Sequence, residues 1–208
     1  MTTPLGTLEN LETGPRVATL RRRTRETDVT VRVALDGTGE ATISTGVGFY
    51  DHLLTSLAHH SLIDIRVEAT GDLEVDDHHT VEDVALVLGS AIATALGDRA
   101  GVCRFGDASV PMDEAVATAV IDIGGRSYAV IDLPFHGERI GALSTQLIEH
   151  ALEAFARASG ATLHLRGTGR NDHHLAEAAF KALARVLRAA CAPDPRRSGI
   201  ASTKGSLG

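Results

Sequence analysis

One short pattern occurs twice in this chain: Asp77-His78-His79-Thr80-Val81-Glu82 returns as Asp172-His173-His174-Leu175-Ala176-Glu177. Each copy follows an acid-histidine pair set in a helical pattern, Asp51-His52 before the first and Glu149-His150 before the second. Chance does not repeat a paired register of this kind, so the chain is expected to fold as two related halves sharing one core.

The repeat sorts six histidines and two glutamates into two equivalent sets. Adjacent histidines on a helix diverge by roughly 100°, which makes one mononuclear site a poor use of both. Two metal ions, each taking about three imidazoles and one carboxylate from His52, His78, His79, Glu82, His150, His173, His174 and Glu177, are the simplest chemistry for such a set. Nitrogen and oxygen donors without thiolate favour Mn, Fe, Zn or Co. About four protein donors per ion leave a six-coordinate metal such as Mn²⁺ with open positions, and open positions mean catalysis. His59, His60, His136 and His164 stand outside the repeat and read as ordinary core or surface residues.

Hydrophobic periodicity supplies the elements. Apolar alternation over 27–35, the turn signal Asp36-Gly37-Thr38-Gly39 and a returning segment at 41–45 predict a hairpin. A helix over 49–60, a strand over 63–69 and a long apolar helix over 81–96 follow. The second half repeats the order, with strands at 115–123 and 127–133, a helix at 145–159, a strand at 162–166 and a helix at 175–190. The expected class is α+β, with internally duplicated β-β-α-β-α halves and sheets backed by helices. Residues 1–20 read as a flexible lead-in, 21–106 and 107–192 as the two halves, and 193–208 as a C-terminal tail. Both histidine pairs begin the second helix of their half, and a sheet is expected to bring the helices of each site together.

Composition excludes several classes. A chain with 43% hydrophobic and 23% charged residues is a globular protein. No stretch is expected to span a membrane and the start lacks a signal-peptide pattern, so cytoplasmic residence without membrane partners is the expectation. A net charge of -7 argues against a nucleic-acid partner, and Arg21, Arg22, Arg23 and Arg25 read as a solvated edge. Cys103 and Cys191 lie outside the motifs and are expected to be reduced.

The tail Pro195-Arg196-Arg197-Ser198-Gly199 through Ser202-Thr203-Lys204-Gly205 has no helical or strand period. Its bland reading is a frayed end. Basic groups beside hydroxyls and glycine also suit a phosphate, and Arg104, Arg126 and Lys181 could serve the same anion. Glu26, in Thr24-Arg25-Glu26-Thr27, has no visible counterpart in the second half; it is either a surface acid or a proton carrier beside the metals.

Several stretches in one order resemble the imidazoleglycerol-phosphate dehydratase family of histidine biosynthesis, in its monofunctional form, over about 21–204. They are Thr24-Arg25-Glu26-Thr27, Gly48-Phe49-Tyr50-Asp51-His52-Leu53-Leu54, Asp76-Asp77-His78-His79-Thr80-Val81-Glu82-Asp83, Arg104-Phe105-Gly106, Met112-Asp113-Glu114-Ala115, Asp172-His173-His174 with Glu177, and Ser202-Thr203-Lys204-Gly205. The resemblance implies a duplicated fold of the ribosomal protein S5 domain 2-like type and a homo-oligomer of 24 subunits with metal sites at subunit contacts. It implies two Mn²⁺ per active site on the eight ligands named above. It places Arg104, Arg126, Lys181, Ser202 and Lys204 on the substrate phosphate and Glu26 against the substrate. The implied reaction is a hydro-lyase step, the dehydration of D-erythro-imidazole glycerol phosphate to imidazole acetol phosphate, through a metal-bound imidazolate and a diazafulvene-like intermediate. Glu26 and Glu177 are the candidates for moving protons, with Asp113 as a further positioning candidate.

Two other classes compete. A dinuclear metallohydrolase would activate water with such a pair of ions, but those sites carry more bridging carboxylates than this imidazole-rich set. A metal store or sensor would need neither the phosphate-type tail nor, without a DNA-binding element, this pattern.

Overall fold

The computed structural model describes residues 7–207; the part of the expected lead-in at 1–6 lies outside the described residues. The first half comprises β1 (Leu8–Gly14), β2 (Val17–Arg23), β3 (Thr27–Ala34), β4 (Ala41–Ser44), α1 (Gly48–Ser61), β5 (Asp64–Gly71) and α2 (His78–Leu96). The second comprises β6 (Phe105–Met112), β7 (Ala115–Asp122), β8 (Tyr128–Asp132), the short pair β9 (Arg139–Ile140) and β10 (Leu143–Ser144), α3 (Thr145–Ser159), β11 (Thr162–Thr168) and α4 (Asp172–Cys191).

The β-β-α-β-α order is present in both halves, with β2 leading it in the first and β6 in the second, and β1 added before β2. The inward positions of β2 and β6 include Ala18, Gly106 and Ala108, too small to produce a visible apolar alternation. The repeat unit therefore starts a few residues before the boundaries read from sequence. Residues 8–20, expected to be a flexible lead-in, instead form β1 and most of β2, paired antiparallel. Strand β1 is an edge strand exposed along most of its length, so it carries no burial signal.

The expected 27–45 hairpin is not formed. The sheet orders are β1-β2-β3-β5-β4 and β6-β7-β11-β8. Strand β5 lies between β3 and β4, antiparallel to the first and parallel to the second. The glycine-bearing loop 36–40 wraps the start of β5, where Asp64 Oδ1 accepts the backbone N–H groups of Thr38, Gly39 and Glu40 at 2.8, 2.9 and 2.9 Å. Strand β4 then returns to β5 through α1, the crossover that parallel neighbours require. The second half does the same, with β11 between β7 and β8.

The helices form the inner layers. Helix α2 packs on β2 and β3, and α4 on β6 and β7, while across the halves α1 pairs with α4 and α2 with α3. One continuous hydrophobic cluster fills the space between the sheets. Glycine permits the closest approach: a Cβ on Gly89 of α2 would sit 2.6 Å from the Phe155 carbonyl oxygen of α3. Against the expectation of no span-like stretch, α2 has the length and apolar content of a membrane span. It is 78% buried inside the protein, so its apolar surface is used internally.

Gly89→Ala should therefore force α2 and α3 apart and lower unfolding stability by about 1–3 kcal/mol. Urea unfolding followed by circular dichroism checks this; an unchanged midpoint would show that the contact relaxes freely.

Candidate metal centre and phosphate cavity

Each histidine pair opens its helix because the residue two before its first histidine caps it. Asp76 Oδ1 accepts the His78 N–H at 2.8 Å, and Asn171 Oδ1 accepts the His173 N–H at 3.0 Å. The aspartate between cap and histidine ties the helix start to a loop: Asp77 accepts the Ser144 N–H at 2.6 Å, and Asp172 the Gly137 N–H at 2.7 Å. The acids of the acid-histidine pairs have a similar task. Asp51 accepts from Thr45 N–H at 2.9 Å, and Glu149 from Leu133 N–H at 3.0 Å, so they fasten α1 to the end of β4 and α3 to the end of β8.

The cross-half helix pairs then assemble two donor groups, His52 with His173 and Glu177, and His150 with His78 and Glu82, their ligand atoms all within 4.8 Å of one another. Each group takes its isolated histidine from one half and its His-x-x-x-Glu from the other. Helix–helix packing brings them together, where the sequence reading assigned that task to a sheet. In the first group the Nε2 atoms of His52 and His173 both lie 2.9 Å from Glu177 Oε1. Burial pushes the Glu177 carboxyl up, but hydrogen bonds from Lys181, His52 and His173 outweigh it and hold it at about 2. In the second, the buried His150 Nε2 lies 3.3 Å from Glu82 Oε1 yet makes no hydrogen bond. A buried ring nitrogen without a hydrogen-bond partner, aimed at a carboxylate, fits the chemistry of a metal ligand.

His79 and His174 stand outside these groups, their rings turned 78° and 88° from those of His78 and His173. Each has its Nδ1 held by a carboxylate, His79 by Asp72 at 3.0 Å and His174 by Glu114 at 2.8 Å. These bonds raise both imidazoles above their ordinary range. The Glu114 carboxyl is drawn down to about 2 by His174 and by the backbone of Asn171. A carboxylate on one ring nitrogen orients the other toward a metal. The sequence reading missed Glu114 and Asp72. It also found no counterpart for Glu26, whereas the strand order supplies one: Glu26 immediately precedes β3 as Glu114 precedes β7. Glu26 lies 3.8 Å from His79 Nδ1, and Asp113 3.7 Å from His174 Nε2.

Four of the five expected phosphate residues come together elsewhere. Arg104, Arg126, Ser202 and Lys204 line a cavity of about 560 Å³ with Arg197 and Thr203. Lys181 does not; it pairs with Glu177 at 2.7 Å in the first donor group. The tail is anchored, through Gly101 N–H to the Gly199 carbonyl at 3.0 Å and Arg104 to the Ala201 carbonyl. Asp122, also absent from the sequence reading, grips the Arg104 guanidinium at 2.7 and 2.9 Å and fixes its orientation.

The family model described as imidazoleglycerol-phosphate dehydratase matches residues 45–187. The chain belongs to that family. Imidazoleglycerol-phosphate dehydratase of Methanoculleus marisnigri is 53% identical over 92% of this chain and 100% of its own length, and that of Methanocella arvoryzae 52% over the same shares. Among solved structures, the enzyme from Staphylococcus aureus N315 superposes with a TM-score of 0.78 at 32% identity, covering 86% of this chain and 99% of that one. The Pyrococcus furiosus enzyme in complex with (S)-C348 gives 0.75 at 35%, covering 90% and 99%. The chain is thus a lyase of this class, dehydrating a phosphorylated imidazole substrate in histidine biosynthesis.

If the cavity holds the phosphate, Arg126→Ala and Lys204→Ala should each weaken inorganic phosphate binding about tenfold, or about 1.4 kcal/mol. Calorimetric titration reads this directly, and full affinity in both variants would assign the anion to another surface.

Proposed function

We propose that this chain is a Mn²⁺-dependent hydro-lyase that converts D-erythro-imidazole glycerol phosphate to imidazole acetol phosphate, using two ions per active site and a homo-oligomer to complete each site. The observation that carries the reading is the pair of reciprocal donor groups, each with two imidazoles and one carboxylate, beside two further imidazoles braced at Nδ1. The imidazole-rich set leaves positions for a neutral azole, which favours dehydration over the hydrolase reading.

His52, His173 and Glu177 would hold one ion, and His78, His150 and Glu82 the other, with His79 and His174 presenting Nε2 to ions of neighbouring chains. When bound, Mn²⁺ supplies Lewis acidity, favouring the imidazolate form of the azole and holding a substrate hydroxyl. Arg126, Ser202 and Lys204 grip the phosphate, and Asp122 keeps Arg104 in place at the cavity wall. Dehydration needs one proton taken from carbon and one hydroxyl expelled from its neighbour, leaving an enol that tautomerises to the ketone. Glu26, exposed beside His79, takes the carbon-bound proton. Glu177, bonded to Lys181 and two histidines and held at about 2, serves as a ligand and stays ionised.

Geometry supports assembly. Strand β6 runs Phe105–Met112 with Arg104 at the cavity end and Glu114, the brace of His174, just past the other. At the rise of a strand these ends are roughly 25 Å apart. The substrate is on the order of 10 Å long, which argues against the cavity and the His174 of one chain serving the same molecule. This separation supports a site to which different copies contribute, and the particle of 24 subunits expected from the family resemblance would satisfy it.

Two outcomes follow. His78→Ala should lose bound Mn²⁺ and turnover together, read by metal analysis and product formation; full activity would remove the donor group from catalysis. Arg126→Ala and His174→Ala chains, each inactive alone, should regain activity when stripped by a chelator, mixed and reloaded with Mn²⁺. No recovery in the mixed particles would place both parts of the site in one chain.

A further inference from the structure

Asp83 follows Glu82 on α2 and turns its side chain toward the first sheet, where Oδ2 accepts hydrogen bonds from Arg22 Nη1 and Thr27 Oγ1. The ion pair is largely buried, with the Arg22 and Asp83 side chains 13% and 9% exposed, and Thr27 is buried beside it. The network continues into the turn before β3. Thr24 Oγ1 lies 3.1 Å from Thr27 Oγ1 and accepts the N–H groups of Glu26 and Thr27 at 3.1 and 2.9 Å. The helix carrying His78, His79 and Glu82 is thereby connected, side chain by side chain, to the turn carrying Glu26.

The second half is an internal control. Aligning Thr27 of β3 with Ala115 of β7 and following the strand registers, Arg22 opposite Val29 corresponds to Val110 opposite Ala117. The repeated motif maps Asp83 onto Ala178. Valine and two alanines therefore fill the place that an ion pair and a hydroxyl fill in the first half. Burying an ion pair costs desolvation, and apolar replacement is often neutral or stabilising, so the fold itself does not explain the charges. The turns do differ. Glu114 is fixed by the N–H groups of Arg170 and Asn171 at 3.1 and 2.8 Å. Glu26, 55% exposed, takes its place from the turn that carries it.

We propose that Arg22, Asp83 and Thr27 are positioning residues that hold the 24–27 turn against α2 and so keep Glu26 facing His79. This rests on the reading that Glu26 moves a proton. Thr27→Ala cuts the connection while leaving Arg22 and Asp83 paired; Arg22→Val, Thr27→Ala and Asp83→Ala together rebuild the second half's apolar version.

The test is turnover of imidazole glycerol phosphate by the Mn²⁺-loaded full chain, with particle mass and metal content measured beside it. Glu26→Gln should lower kcat by about 10²–10⁴-fold. Thr27→Ala and the triple variant should lower kcat by about 10–10²-fold, with KM, mass and metal content unchanged. Neither should cause further loss in the Glu26→Gln background, where there is no carboxylate left to position. Wild-type kcat in Thr27→Ala and the triple variant, an undiminished loss in the Glu26→Gln background, or a loss that tracks metal or mass overturns the positioning role. Full activity in Glu26→Gln overturns the Glu26 reading and this inference with it, whereas an inactive Glu26→Gln beside active triad variants overturns this inference alone.

Discussion

Because α1 packs on α4 and α2 on α3, neither half can assemble a donor group from its own helices. His52 reaches Glu177, and His150 reaches Glu82, only when the two halves dock in one register. That register is set by apolar packing between the sheets and by close approach at Gly89. A cation held by either group would favour the docked state by its binding free energy, as any ligand of the folded state does. The polar ends of the helices therefore depend on the apolar middles: the ligands lie within the first two turns of their helices, and the following turns supply the alignment.

The ligands and the bonds at their helix starts repeat, while the carboxylates that brace the outer histidines and the cations beside the glutamates do not. Asp72, which braces His79, follows β5, whereas Glu114, which braces His174, precedes β7. The cation beside Glu177 is Lys181 of the same helix, and the one beside Glu82 is Arg157 of α3. The surrounding positions place a cation beside each carboxylate with different residues.

That difference decides what could be read from sequence. The donors were legible because they recur in register, as were the helices, whose apolar stripes survive in both halves. Strand pairing was not: Asp36-Gly37-Thr38-Gly39 has the composition of a hairpin turn, but its backbone bonds Asp64 at the start of β5, which lies between β3 and β4. Strands β2 and β6 escaped notice because alanine and glycine fill inward positions. Glu114 escaped because its kinship with Glu26 lies in strand order, with no shared motif around it. Asp122 is one acid in an alternating strand, and nothing local distinguishes a carboxylate that grips Arg104 from one that faces water.

The two donor groups are equivalent by descent and unequal in environment. The Glu177 side chain is 9% exposed and Glu82 27%. A buried carboxylate bonded to a lysine is a more constrained ligand than a partly hydrated one facing an arginine, since less water remains to compensate a displaced partner. On the proposed reading, with one ion on the azole and another on a hydroxyl, such inequality would keep the two functional groups from binding interchangeably. A phosphate held by Arg126, Ser202 and Lys204, as proposed, would then select one direction. Duplication supplies two donor groups at once, and on the proposed reading the divergence of their supports would let one asymmetric molecule be held in a single orientation.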